Sequence, residues 1–308
     1  MILELILFDS FEGDGDGFET GRTMFLPAGP AGKTTDSRED ASLVTDSHCH
    51  LIPGIDDGAG SFDEALEMAE ALAAAGFAKI WCTPHRITGS YDTEPAAIKE
   101  LLVELQHRIT RAGIPLLLAP ATEYYFDEFL LAALDHPLLL NESMLLVEMP
   151  PSAMETVVPD VLAQVIRGGY TPLIAHPERS PIFALAETES SLADFSLLTL
   201  LRSLVIGKKR EEHLPETELP PFLLRLRSMG CRFQGNIGSF AGIYGESAKE
   251  NALLFLREGI YDCLGSDAHR PNQLSAWLTE GLGVVREIVG PAGVRKLLTH
   301  EGRRMQGR

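Results

Sequence analysis

Histidines and carboxylates recur in this sequence where short apolar runs end. Asp46-Ser47-His48-Cys49-His50 closes one run and Cys82-Thr83-Pro84-His85 closes a second. A third leads to Glu123 and a fourth ends at Glu148. A fifth continues into His176-Pro177-Glu178-Arg179, and a last into Ser266-Asp267-Ala268-His269. Five of the nine histidines take part. Residues two apart on a strand point the same way, so His48 and His50 converge on one face. A carboxylate beside an apolar strand is costly unless its charge is shared, and a bound cation shares it. Imidazole with carboxylate, and no cysteine-rich cluster, suits manganese, iron or zinc rather than calcium. Taken singly, each residue has a plainer reading: a histidine that only hydrogen-bonds, a glutamate in a salt bridge, an aspartate capping a helix. Eight of them on one rim point to a metal centre.

Two or three clustered divalent cations generate a nucleophile from water near neutral pH and clamp a phosphate. Arg179, just past His176, is placed to take a pair of phosphoryl oxygens and to steady transition-state charge; its alternative is a surface salt bridge. Asp57, in the loop after His50, is a further ligand, a proton acceptor, or simply a turn residue before Gly58. Thiol chemistry is disfavoured. A phosphate-cradling loop needs cysteine, five residues, then arginine, and the positions so spaced from Cys49, Cys82, Cys231 and Cys263 are Ile55, Thr88, Ile237 and His269. The cysteines read as small buried apolar residues.

These side chains need a scaffold that brings strand ends together. From residue 43 strand-like runs alternate with amphipathic stretches. The predicted strands are Leu43–Ser47, Ala78–Thr83, Leu116–Ala119, Met144–Val147, Thr171–Ala175, Arg232–Gly235 and Asp262–Ser266. Helices announce themselves between them. Ser61 with Glu64 makes a capping box, Pro95 suits a first turn, and Gly168-Gly169 and Gly259 close two others. Such alternation means a parallel sheet, and seven strands fit a barrel one short of the common eight. In a barrel all the strand C-termini ring one mouth. Residues 183–220 break the rhythm and read as an insertion. Residues 1–44 hold nine acidic and three basic residues and read as a mobile acidic extension. Within them, Gly32-Lys33-Thr34 lacks the P-loop's first glycine, where Pro27 stands.

The run His48-Cys49-His50-Leu51-Ile52-Pro53-Gly54-Ile55-Asp56-Asp57-Gly58-Ala59 resembles the opening motif of the polymerase-and-histidinol-phosphatase (PHP) superfamily. More narrowly it resembles the bacterial manganese-dependent protein-tyrosine phosphatases of capsule and exopolysaccharide synthesis. The similarity continues through Thr83-Pro84-His85, Glu123, Leu146-Val147-Glu148, Ala175-His176-Pro177-Glu178-Arg179, Gly238-Ser239-Phe240-Ala241-Gly242-Ile243-Tyr244-Gly245 and Ser266-Asp267-Ala268-His269. It covers roughly residues 45–290. It implies a distorted (β/α)7 barrel of the PHP type with up to three metal ions, Mn2+ foremost. It implies His48, His50, His85, Glu123, Glu148, His176, Asp267 and His269 as ligands, with Asp57 and Arg179 near the reacting phosphate. It implies a phosphotyrosine protein, a bacterial tyrosine kinase or its tyrosine-rich tail, as substrate. One departure concerns phosphate binding. The family's second arginine, several residues past Ser-Asp-x-His, has no counterpart here before Arg286, which leaves Arg86 and Arg270 as substitutes. Residues 291–308 show no family ending and read as a basic tail.

A formal net charge of −18 argues against nucleic acid or an anionic membrane as a general partner. The opening Met1–Phe8 run is too short for a membrane span and lacks a signal peptide's basic start, so a cytoplasmic protein is expected. Two other functions fit the same residues: a small-molecule phosphatase such as histidinol phosphatase, and a metal-stabilised regulatory module without turnover. The full donor set and Arg179 argue against the second.

Overall fold

The computed structural model describes residues 43–141, 143–184 and 219–299. The N-terminal extension up to residue 42, nearly all of the insertion and residues 300–308 lie outside the described residues.

The chain alternates strand and helix in the order β1 (Thr45–Cys49), α1 (Phe62–Ala74), β2 (Lys79–Cys82), β3 (His85–Arg86), α2 (Pro95–Arg111), β4 (Leu117–Pro120), β5 (Glu123–Tyr125), β6 (Met144–Glu148), α3 (Val158–Arg167), β7 (Thr171–Ala175), α4 (Pro221–Ser228), β8 (Arg232–Asn236), α5 (Ile237–Phe240), α6 (Glu246–Arg257), β9 (Cys263–Gly265) and α7 (Leu274–Leu298). Each predicted strand has its counterpart. Two are split. β2 runs into β3 through Thr83-Pro84, and β4 into β5 through Ala121-Thr122, because Pro84 has no N–H to give the ladder. Hydrogen bonds still carry the pairing across the gaps, from Thr83 N–H to Cys49 O (2.9 Å), Ala121 N–H to Cys82 O (2.9 Å) and Glu123 N–H to Pro84 O (3.0 Å).

Among the described residues the pairings between these strands are all parallel, in the orders β1-β2-β4 and β3-β5-β6-β7-β8-β9. The sheet curls until its edges meet: Cys49 bridges Ala268, His50 N–H donates to Ala268 O at 3.0 Å, and Asp267 N–H to His48 O at 2.7 Å. Asp46 fastens the same seam. Its buried Oδ1 accepts from the N–H groups of Ser266 (2.8 Å) and His48 (3.1 Å).

Both sheet faces are buried, and successive strand residues alternate between two apolar clusters. Ile80, Cys82, Leu145, Val147 and Ile174 join the large cluster beneath the helices. Trp81, Ala121, Leu146, Leu173, Ala175 and Cys263 form a smaller one on the opposite, inner face. Two-residue periodicity then dictates which side chain extends the inner face at each C-terminal end. The step after Trp81 and Thr83 is His85, after Ala121 it is Glu123, after Leu146 it is Glu148, and after Cys263 and Gly265 it is Asp267. The polar residues are the inner face carried past the apolar plug.

The helices bear out their start signals with one change. Ser61 Oγ accepts from Glu64 N–H at 3.2 Å, but the Glu64 carboxylate reaches back to Gly60 N–H (2.8 Å) rather than to Ser61. Residues 291–298, expected to begin a basic tail, are instead helical. α7 breaks at Gly290 (φ 68°) and resumes, because Leu297 and Leu298 find buried places on the core.

Candidate metal centre

At the C-terminal ends of the strands the donors come together in three groups whose ligand atoms lie within 4.8 Å of one another: His48, Glu123, His176 and Asp267; His50, Asp57, His85 and His269; and His85, Glu123 and Glu148. All eight residues expected as ligands are present, and Asp57 joins them. Glu123 and His85 each belong to two groups. The spacing is that of a coordination shell. Nε2 of His48 and of His50 are 3.1 Å apart. Glu123 Oε2 lies 3.1 and 3.3 Å from them, and Asp267 Oδ1 lies 3.3 Å from both. Donors bound about 2.1 Å from one centre stand roughly 3.0–3.4 Å apart. The rest of the Glu123 carboxylate is shared out similarly, with Oε1 at 3.2 Å from His176 Nε2 and Oε2 at 3.0 Å from His85 Nδ1.

The last pair tests whether a cation fits. His85 Nδ1 and Glu123 Oε2 are both buried, and neither makes a hydrogen bond despite their closeness. Two buried polar atoms left unpaired would cost several kcal/mol, on the order of 1–3 for each group. A cation between them removes that cost, and the imidazole–carboxylate donor set is right for one.

Outer partners fix how the histidines face. His50 Nδ1 lies 2.7 Å from the fully buried Asp56 carboxylate, and His48 Nδ1 lies 3.0 Å from Gln234 Oε1. His269 Nδ1 is 2.9 Å from the carbonyl of Asp267. Each contact puts the ring proton on Nδ1 and turns the Nε2 lone pair toward the centre. Asp56 also accepts from the N–H groups of Gly58 (2.9 Å) and His85 (3.1 Å), so one carboxylate sets the loop, the ligand and the next strand end. A Cβ on Gly58 would stand 2.3 Å from His50 O, and one on Gly265 would stand 2.5 Å from His48 Cβ. Glycine at both positions lets the backbone close around the donors.

His176 is out of step with the inner face by one residue. Its backbone turns through the left-handed region (φ 30°) to bring the ring inward. Asp267 is also left-handed (φ 54°). Such conformations cost energy in non-glycine residues and persist where the surroundings impose them. Here the turn after His176 is held by the buried Glu178. Its carboxylate accepts from Asn236 N–H (2.9 Å), Ser239 Oγ (2.8 Å) and Tyr261 OH (2.9 Å).

The electrostatics are those of charges crowded together. Burial resists charging His48, but the carboxylates of Glu123 and Asp267 outweigh it and raise its pKa to about 9. Burial likewise resists charging Glu123 and Asp267, yet the facing histidines hold both well below the carboxylate range. Glu148 is pushed up to about 7, first by burial and then by the charge of Glu123. Asp57 at the mouth is lowered to about 2, chiefly by its hydrogen bond to His269.

Arg179 Nη1 donates to Asp267 Oδ2, and its guanidinium carbon lies 4.0 Å over the ring of Tyr244. The two arginines considered as substitutes for a second phosphate clamp are engaged elsewhere. Arg86 donates to Thr93 O (2.9 Å) and Glu94 (3.1 Å), whereas Arg270 ties Gly58 O (2.6 Å) to Glu64 (3.2 Å).

The capsular polysaccharide synthesis family CpsB/CapC matches residues 44–194. Tyrosine-protein phosphatase YwqE of Bacillus subtilis (strain 168) is 30% identical over 250 residues, which make up 80% of this chain and 85% of YwqE. The chain belongs to the CpsB/CapC family. CapC of Staphylococcus aureus is 27% identical over 229 residues, 73% of this chain and 77% of that protein. Among solved structures, a chain from the pair YwqE of Bacillus subtilis and CpsB of Streptococcus pneumoniae, described as metal-dependent tyrosine phosphatases, superposes with a TM-score of 0.65. Its identity is 28%, over 82% of this chain and 90% of that one.

Sequence reasoning passed over several residues that this CpsB/CapC site uses. Asp56 stands beside Asp57 in the opening motif, and nothing in the residue types says which is buried. Gln234, Asn236 and Glu178 act through contacts to distant parts of the chain. Tyr244 lies in the glycine-rich run 238–245 but carries no role that its residue type alone would assign. The cysteines are as expected: all four are buried and free, and burial pushes the Cys231 and Cys263 thiols up to about 12 and those of Cys49 and Cys82 well above their usual range.

Proposed function

We propose that this chain is a metal-dependent phosphatase that hydrolyses phosphotyrosine on protein, serving capsule or exopolysaccharide synthesis. The observation that carries the reading is the convergence of nine donor residues in three overlapping groups beside Arg179. The relatives named tyrosine-protein phosphatases supply the substrate class. The finer reading is a distorted (β/α)7 barrel of the PHP type holding two or three ions, Mn2+ in preference to iron or zinc. His48, His50, His85, Glu123, Glu148, His176, Asp267 and His269 hold them. A cytoplasmic bacterial tyrosine kinase is the proposed partner. Among the described residues no helix is long and apolar enough to cross a membrane.

When bound, the cations supply Lewis acidity, acidifying water and neutralising phosphoryl charge. The chain's own residues do the rest. Asp56 and Gln234 keep the His50 and His48 lone pairs aimed at the centre. Arg179, anchored by one nitrogen on Asp267, has further N–H groups with which to take phosphoryl oxygens and stabilise developing charge. Asp57 is half-exposed and held to about 2 by His269. Its place among His50, His85 and His269 favours a role as ligand.

Phosphate release from a phosphotyrosine peptide and from histidinol phosphate, with added Mn2+ and with a chelator, tests this. Chelator-sensitive release from the peptide alone is expected. Release from histidinol phosphate only would transfer the chain to small-molecule metabolism, and release from neither would favour a regulatory module.

A further inference from the structure

Arg179 stands between two partners of opposite kind. On one side its Nη1 is bonded to Asp267 Oδ2, the oxygen turned away from the histidines. On the other, its guanidinium carbon lies over the Tyr244 ring, 4.0 Å from the ring centroid. Asp267 alone would be a poor anchor. The same oxygen already accepts from Asn236 Nδ2 at 2.9 Å, and a carboxylate competes with an incoming phosphate for the same N–H groups. A ring face attracts the cation without using any N–H group. Asp267 takes Nη1, and with Tyr244, Ser180, Ser247 and Asn251 the arginine also lines a cleft of about 450 Å³ beside the metal donors.

Tyr244 is itself fixed. Asn236 caps α5 through Gly238 N–H (2.9 Å), and the turn closes from Ile243 N–H to Gly238 O at 3.1 Å. A Cβ on Gly238 would stand 3.0 Å from Tyr244 Cε2, so the glycine leaves room for the ring. One residue, Asn236, thus touches both Asp267 and the turn that carries Tyr244.

We propose that Tyr244 is a positioning residue for phosphate recognition: its ring holds the Arg179 guanidinium at the mouth of the metal centre with its free N–H groups turned to the substrate. This rests on the phosphatase reading for its substrate, but phosphate binding can be measured apart from turnover. On the chain loaded with Mn2+, the affinity for inorganic phosphate is measured by calorimetry for wild type, Tyr244→Leu, Tyr244→Phe, Arg179→Ala and the Tyr244→Leu/Arg179→Ala pair. Tyr244→Leu is expected to weaken phosphate binding about tenfold, on the scale of a partly desolvated cation–π contact, and to raise KM more than it lowers kcat. Tyr244→Phe keeps the ring and is expected to stay within about twofold of wild type. With Arg179 already removed, Tyr244→Leu should cost nothing further. A second series guards against a misfolded leucine variant. Phenylalanines bearing one, two and three fluorines at position 244 drain the ring's negative face while keeping its shape, and affinity should fall stepwise. A flat fluorine series, or an equal loss from Tyr244→Leu with and without Arg179, would overturn the proposal. Normal phosphate binding with no turnover of phosphotyrosine peptide would sink the phosphatase reading and leave this one standing.

Discussion

Asp56 and Asp57 are chemically identical neighbours with opposite surroundings. The Asp56 side chain is fully buried against His50, whereas that of Asp57 is 51% exposed at the mouth. The sequence offers no means of telling them apart, because the choice depends on how the loop folds over Gly58. Asp56→Asn keeps the shape and removes the charge that fixes the His50 tautomer. Loss of such an outer partner costs about 10–100-fold in metal affinity or activity, and metal titration of the variant should show a weakening of that order. Unchanged affinity would make Asp56 a loop fastener only. A second prediction concerns pH. In metal-free protein His48 titrates near 9 instead of 6.5, so the folded chain keeps a proton that the unfolded chain has released. Stability from this group is complete below pH 6.5 and lost as pH rises through about 9. Glu148, raised from 4.5 to about 7, has the same slope over the lower window, because its folded form also binds the extra proton. Chelated protein should therefore show a melting temperature that falls from about pH 5 to about pH 9. Metal-loaded protein should not follow that fall, because its histidines are already deprotonated by coordination. Thermal melts across pH with and without chelator check this, and coincident curves would remove the metal from the account.

At the scale of elements, what could be read was what is periodic. Seven apolar runs became seven strand paths, and the inner-face residues two or four positions beyond the plug became the donors Glu123, Glu148, His85 and Asp267. What resisted reading was the non-periodic part. His176 reaches the centre only because the turn after β7 is left-handed, and that turn is held by Glu178 through Asn236, Ser239 and Tyr261, which are 58 to 83 residues away. The splitting of β2 from β3 was written in Pro84, whereas the helix over 291–298 was obscured by the glycine and proline at 290 and 291. The Glu178 turn invites a test. Glu178→Ala would leave three buried donors without an acceptor, at a cost of about 3 kcal/mol or more. It would also free the backbone that presents His176 and Arg179. The melting temperature should drop by several degrees, and kcat should fall more steeply than metal content. A variant as stable and active as wild type would show that the turn is held by something other than this carboxylate.

The whole molecule is anionic, at −18, and its proposed substrate carries a phosphate. The two requirements conflict beyond the reach of the local cations. The field of the bound ions and of Arg179 dominates within the mouth, whereas the field of the surface dominates the approach. Salt separates the two by distance. The screening length is about 30 Å at 0.01 M and about 8 Å at 0.15 M, so added salt weakens the approach field first and leaves partly buried contacts largely intact. For a phosphotyrosine peptide flanked by acidic residues, kcat/KM should rise over that range as repulsion is screened. For one flanked by lysines it should fall, since the surface attracts such a peptide at low salt. The convergence of the two curves as salt is added is the discriminating result. Parallel curves would mean that encounter is governed at the mouth alone, with the acidic surface serving solubility rather than selection among substrates. If they converge, the preferred substrate at low salt is a phosphotyrosine in basic surroundings, a preference set by the charge of the chain and not by its metal site.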